Sequence, residues 1–75
     1  MDVFDEGELI LVVAELPGVD EDDIQIEVQD DILSLSATGE RKYVKEVLLP
    51  SLVDADTMET TYHNGILEVR LHKAE

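Results

Sequence analysis

The side chains that could do chemistry are few. Histidine occurs only as His63 and His72, and there is no cysteine, which removes thiol catalysis, a disulfide framework and cysteine metal sites. His63 flanks a turn on a solvent-facing strand side and His72 lies near the end of the chain. Neither has a second ligand at metal spacing beside it, so both read as solvated surface groups. Asp20 to Asp23 and Asp30-Asp31 supply carboxylates, but the glycine and terminal glutamate of a calcium loop are absent and solvated charge is the simpler account. Ser34 and Ser36 share one strand face with no positioned base, so neither is a credible nucleophile. Gly18, Gly39 and Gly65 each sit at a turn, and none belongs to a phosphate-cradling loop with lysine. The sequence therefore predicts no catalytic residue, no metal and no cofactor. What remains is binding through backbone edges and apolar grooves.

Charge narrows the partners. Of 75 residues, 19 are acidic and 5 are Lys or Arg, for a net charge of −14, and no base precedes Arg41. Such a surface repels phosphate backbones and anionic lipids, which predicts no nucleic-acid and no membrane partner. The longest aliphatic run, from Leu9 to Ala14, is far shorter than the ~20 residues a membrane span needs. The N-terminus is acidic and lacks the basic start of a signal peptide, so a cytoplasmic location is expected. The acidity reads either as adaptation to a salt-rich cytoplasm or as the surface of a soluble domain that happens to be acidic.

The elements that must carry any binding surface are strands. Asn64-Gly65 between two alternating runs is a strong hairpin signal, because a type I′ turn needs two residues at positive φ. A two-residue loop there sets His63 opposite Ile66, Tyr62 opposite Leu67, Thr61 opposite Glu68 and Glu59 opposite Arg70. Met58, Thr60 and Tyr62 then share a dry face with Leu67, Val69 and Leu71. Asp30-Asp31 repeats the device, placing Ile24, Ile26 and Val28 on one face with Leu33, Leu35 and Ala37. Packing the two dry faces together gives a β-sandwich.

Around these hairpins, Val3-Phe4 reads as a short edge strand and Asp5-Glu6-Gly7 as a turn. Leu9–Glu15 reads as a strand buried on much of both faces, stopped by Leu16-Pro17-Gly18-Val19. Residues 20–23 form a solvated connection, and the first dense hairpin runs to Thr38. Residues 39–42 turn into a strand over 43–49 that Pro50 closes. Residues 51–57 read as a loop, with one helical turn at Asp54-Ala55-Asp56, and residues 73–75 as a frayed end. The expectation is one all-β domain, residues 1–75, of about six or seven antiparallel strands, with no amphipathic helix.

Three motifs carry a family resemblance. Ala14-Glu15-Leu16-Pro17-Gly18-Val19 followed by Asp23-Ile24 resembles the "A-D-L-P-G-V…D-I" segment of the small heat shock protein family, the Hsp20 or α-crystallin domain. Tyr43-Val44-Lys45-Glu46-Val47-Leu48-Leu49-Pro50 is similar to its "F-x-R-x-F-x-L-P" strand, and Tyr62-His63-Asn64-Gly65-Ile66-Leu67-Glu68-Val69 to its "Y-x-N-G-V-L-x-V" hairpin. The match runs nearly the length of the chain in the family's order. It implies an immunoglobulin-like sandwich and ATP-independent holding of unfolding client proteins. The alternative it implies is a non-chaperone Hsp20-fold interaction module docking on a partner such as an ArsA/Get3-type ATPase or a co-chaperone. Departures are equally plain. The family's excursion with a dimer-forming strand is missing before Tyr43, Lys45 stands for its arginine, and Leu71-His72-Lys73 stands for Leu-Pro-Lys. Neither an N-terminal arm nor an I-x-I/V tail is seen, so a monomer or weak dimer is expected. The resemblance also points to a groove between residues 24–28 and 58–62 that accepts I-x-I/V peptide segments. Its candidate lining is Ile24, Ile26, Val28, Met58, Thr60 and Leu71, although inward alternation alone would make the apolar ones core.

Self-repulsion at net −14 generates a direct test. Salt screens like charges beyond a Debye length of ~10 Å at 0.1 M. The melting temperature should climb as NaCl goes from millimolar to molar, by ~5 °C for each kcal/mol of repulsion relieved. A thermal scan that stays flat or falls with NaCl contradicts this.

Overall fold

A computed structural model describes residues 1–39 and 42–74. Seven strands follow in order: β1 (Asp2–Asp5), β2 (Leu9–Glu15), β3 (Ile24–Gln29), β4 (Ile32–Ala37), β5 (Tyr43–Leu48), β6 (Val53–His63) and β7 (Ile66–Lys73), with a single 3-10 turn at Glu21–Asp23. They build two antiparallel sheets, one of four strands in the order β1-β2-β7-β6 and one of three in the order β3-β4-β5. The architecture is the immunoglobulin-like β-sandwich expected.

Both hairpins keep the register set by their turns. His63 pairs with Ile66, Tyr62 with Leu67 and Glu59 with Arg70, while Gln29 pairs with Ile32 and Ile24 with Ala37. Asn64 and Gly65 both have positive φ, 52° and 78°, as a type I′ turn demands. At the other turn only Asp30 of the pair does, at 58°, a conformation that aspartate tolerates better than most residues. Alternation does the rest. Ile10, Val12 and Ala14 of β2, Leu33, Leu35 and Ala37 of β4, and Leu67, Val69 and Leu71 of β7 close on one another as a buried core, with no buried polar or charged residue among the described ones. Full burial of each large aliphatic side chain contributes ~1.5–3 kcal/mol.

Three expectations need correction. Residues 51–57 are not a loop with a helical turn, because β6 already starts at Val53, where Val53 and Asp54 pair with Lys73 and His72. The register then slips, and residues 55–58 stand against Leu71 alone. Local hydrogen bonds hold this bulge: Asp56 N–H donates to Asp54 Oδ1 (3.0 Å), and Thr57 Oγ1 donates to Asp54 O (2.6 Å) while accepting from His72 N–H (2.9 Å). An aspartate-rich run with such side-chain-to-backbone bonds looks like a turn in sequence. The chain end is tied down rather than frayed, since Lys73 N–H donates to Glu8 O, Ala74 N–H donates to Leu52 O (both 2.9 Å) and Lys73 Nζ donates to Asp5 Oδ1 (2.7 Å). That bond, with a second from Gly7 N–H, holds the Asp5 carboxyl below the usual aspartate range. Glu75 lies outside the described residues, as do Glu40 and Arg41 of the turn before β5. Strand β2 is buried on one face only, with Leu9, Leu11 and Val13 half-buried on the other. The solvated connection before β3 coils into the 3-10 turn at Glu21–Asp23.

The chain leaves the four-stranded sheet at Leu16 and re-enters the other at Ile24. Tyr62 fixes this corner from β6: its hydroxyl lies 2.6 Å from Leu16 O and 2.7 Å from Val19 O, sharing one proton between two carbonyls. Leu16 N–H donates to Gly65 O at 2.7 Å. A Cβ on Gly65 would sit 3.3 Å from Pro17 Cα, so the hairpin tip packs on the corner as closely as glycine allows. Removing the hydroxyl strands two carbonyls that have no other donor among the described residues. Tyr62→Phe should cost ~1–3 kcal/mol in urea unfolding at unchanged m-value. Tyr43→Phe, whose hydroxyl makes no hydrogen bond among the described residues, should cost ~0.5 kcal/mol or less. Equal losses for the two would refute the clamp.

Candidate peptide groove

Each sheet ends in a strand with one unpaired edge, and β3 and β6 are such edges on the same side of the sandwich. Between them lies a narrow groove enclosing about 70 Å³, lined by Glu21, Ile24, Ile26, Thr60, Tyr62 and Leu67. Alternation on β3 turns Ile24 and Ile26 inward, where both are half-buried and packed on the core. From β6, Thr60 and Tyr62 come from the same side of the strand, and Leu67 of β7, opposite Tyr62, forms the floor. The Tyr62 hydroxyl is spent on the corner, so the ring presents an apolar wall. Glu21 of the 3-10 turn places a carboxylate at one end.

Of the six expected lining residues, Ile24, Ile26 and Thr60 meet at this groove. Val28 and Met58 are half-buried and pack against the core farther along the same strands. Leu71 is a correction: at 0% exposure it is core, because β7 is an inner strand flanked by β2 and β6. Sequence reasoning missed three members. Tyr62 and Leu67 were legible as a cross-strand pair on the dry face but not as groove walls. Glu21 depends on the 3-10 turn, for which an acidic run gives no signal.

Chemistry elsewhere is sparse. His63 and His72 are exposed, and Ser34 Oγ donates to Glu46 Oε2 at 3.4 Å across the outer face. Among the described residues no three His, Asp or Glu side chains gather as a metal site. Two ion pairs occur among them, Arg70 with Glu68 (3.0 Å) and Lys73 with Asp5 (2.7 Å), so most carboxylates have no cationic partner. A wider cleft of about 400 Å³ opens on the opposite side of the sandwich, where Tyr43 and Lys45 of β5 face Met1, Asp2 and Glu15. Its rim is charged and its floor is Leu16 and Leu35. No helix among the described residues is long and apolar enough to cross a membrane.

Comparison with known proteins matches this geometry. Heat shock protein 16 of Schizosaccharomyces pombe is 29% identical, over all of this chain and 66% of its own length. A gas vesicle protein, H1, of Halobacterium salinarum is 34% identical over 87% of this chain and 35% of its own. The solved structure of heat shock protein 16.0 from S. pombe superposes with a TM-score of 0.86 at 28% identity, covering 99% of this chain and 84% of that one. This chain thus spans about two thirds of the fission yeast relative and about a third of the halobacterial one. The model of the Hsp20/alpha crystallin family matches residues 2–75, and with the two-sheet sandwich and the "Y-x-N-G" hairpin in place the chain belongs to that family.

Proposed function

We propose that this domain is an ATP-independent holdase or co-chaperone domain that takes exposed apolar segments of unfolding proteins into the β3–β6 groove. Members of the family are ATP-independent chaperones and not enzymes, and this chain is not one either. The observation that carries the reading is the pair of strand edges with an apolar floor between them. An extended segment can bond to the free backbone groups of either edge while an alternate side chain enters the groove. A space of about 70 Å³ suits one aliphatic side chain, such as one isoleucine of an I-x-I or I-x-V segment. So small a buried area offsets little association entropy, and affinities of about micromolar to millimolar are expected.

A second reading is an interaction module that docks on a folded partner, an ArsA/Get3-type ATPase being one type. One observation favours it: the relative at 34% identity is a gas vesicle protein rather than a heat shock protein.

The test uses Ile24→Ser and Ile26→Ser, half-buried groove positions where the fold tolerates change better than at buried Leu71. Loss of one aliphatic contact corresponds to ~1–2 kcal/mol, or roughly tenfold weaker binding of an I-x-V peptide. Suppression of client aggregation should fall in parallel while the circular dichroism spectrum is retained. Folded variants that protect clients fully would show that the groove is not the working surface. A wild-type domain that binds the peptide but suppresses no aggregation would favour the docking module.

A further inference from the structure

Both sheets carry apolar side chains on their outer faces: Ile32, Val44 and Leu48 on the three-stranded sheet, and a denser, partly covered row on the four-stranded one. On β3 the outward residues are Gln25, Glu27 and Gln29, and on β6 they include Glu59, Thr61 and His63. On β2 they are Leu9, Leu11 and Val13, all half-buried, and Phe4 beside Leu11 on β1 is 49% exposed. Four apolar side chains thus lie together on a face that should be wet. Carboxylates flank them in register: Asp2 and Glu68 on either side of Val13, and Glu59 beyond Arg70 on the Leu11 row. Arg70, the guanidinium on this face, is already paired with Glu68.

We infer that this face, at Phe4, Leu9, Leu11 and Val13, docks a basic amphipathic segment of a folded partner, its apolar stripe on the aliphatic row and its lysines or arginines on Asp2 and Glu59. Charge complementarity selects this occupant. A second copy would dock by a two-fold axis, which sets the patch against itself and brings the same carboxylates together in a chain of net −14. A bilayer surface, with its anionic headgroups, is repelled in the same way. The face is separate from the β3–β6 groove, so the domain would hold an extended segment at its edge and a folded partner on its sheet.

The probe is a fluorescein-labelled 14-residue leucine/lysine helix, followed by anisotropy at low salt, with a leucine/glutamate helix as control. Binding of the lysine peptide is expected, weakening as NaCl rises, with no binding of the glutamate peptide. Phe4→Ser with Leu11→Ser should weaken it at least tenfold, Asp2→Lys about threefold, and Ile24→Ser not at all. Should the double variant lose its circular dichroism spectrum, Asp2→Lys decides alone. The inference is overturned if the glutamate peptide binds equally, if neither set of face variants weakens binding, or if Ile24→Ser weakens it as much as they do. It is also overturned if the lysine peptide fails to bind and sedimentation shows a dimer that Leu11→Ser dissociates.

Discussion

The sandwich depends on the corner between its sheets. The chain crosses from β2 to β3 through Leu16-Pro17-Gly18-Val19, and the two carbonyls exposed by that bend find one donor, the Tyr62 hydroxyl. Tyr62 itself is placed by the Asn64-Gly65 turn, whose register leaves no freedom about which face the ring occupies. The hairpin tip then closes on the bend through the Leu16 N–H, which donates to Gly65 O, and through the close approach of Pro17 to Gly65. One tyrosine thus couples the last hairpin to the first sheet crossing, across more than forty positions of sequence. The same residue forms a wall of the β3–β6 groove, so the fold's closure and the shape of that groove have a common origin.

Edges and charge set what such a sandwich can do. Unpaired strand edges invite pairing with other chains, and proteins usually guard them. Here β3 and β6 face each other across a space too narrow for another sheet, and β5 carries Lys45 and Glu46 on its exposed edge strand. The groove's openness to an extended segment and the liability of an edge are one property. The excess of carboxylates over cationic partners keeps this liability in check by repelling other copies, at some cost in stability where salt is low. The price in sequence is visible as a surface with hardly any base.

Much of this was legible before any coordinates. Turn chemistry and alternation agree at Asn64-Gly65 and at Asp30-Asp31, so strands β3, β4 and β7 and the upper part of β6 follow with their partners. The inward facing of Ile24 and Ile26 follows from the same alternation, while their place at a groove is implied by the family resemblance alone. What failed was local chemistry overridden by tertiary pairing. Asp54 and Asp56 favour a turn, yet Thr57 and His72 recruit them into a bulged strand. Leu71 shares the dry face with Thr60, but alternation cannot tell an inner strand from an edge, and only strand order reveals that β7 is covered on both sides. The apolar outer side of β2 is visible as a continuous run that predicts burial on both faces, since sequence cannot show that none of the described residues packs over it.

The most direct measurement is amide hydrogen exchange on the isotopically labelled domain with and without an I-x-V peptide. If an extended segment adds to the paired edges, the outward amides of β3 and of residues 59–63 slow on binding while those of β5 do not change. Protection confined to β5, or shared equally by every strand, would contradict a groove between β3 and β6 as the seat of binding.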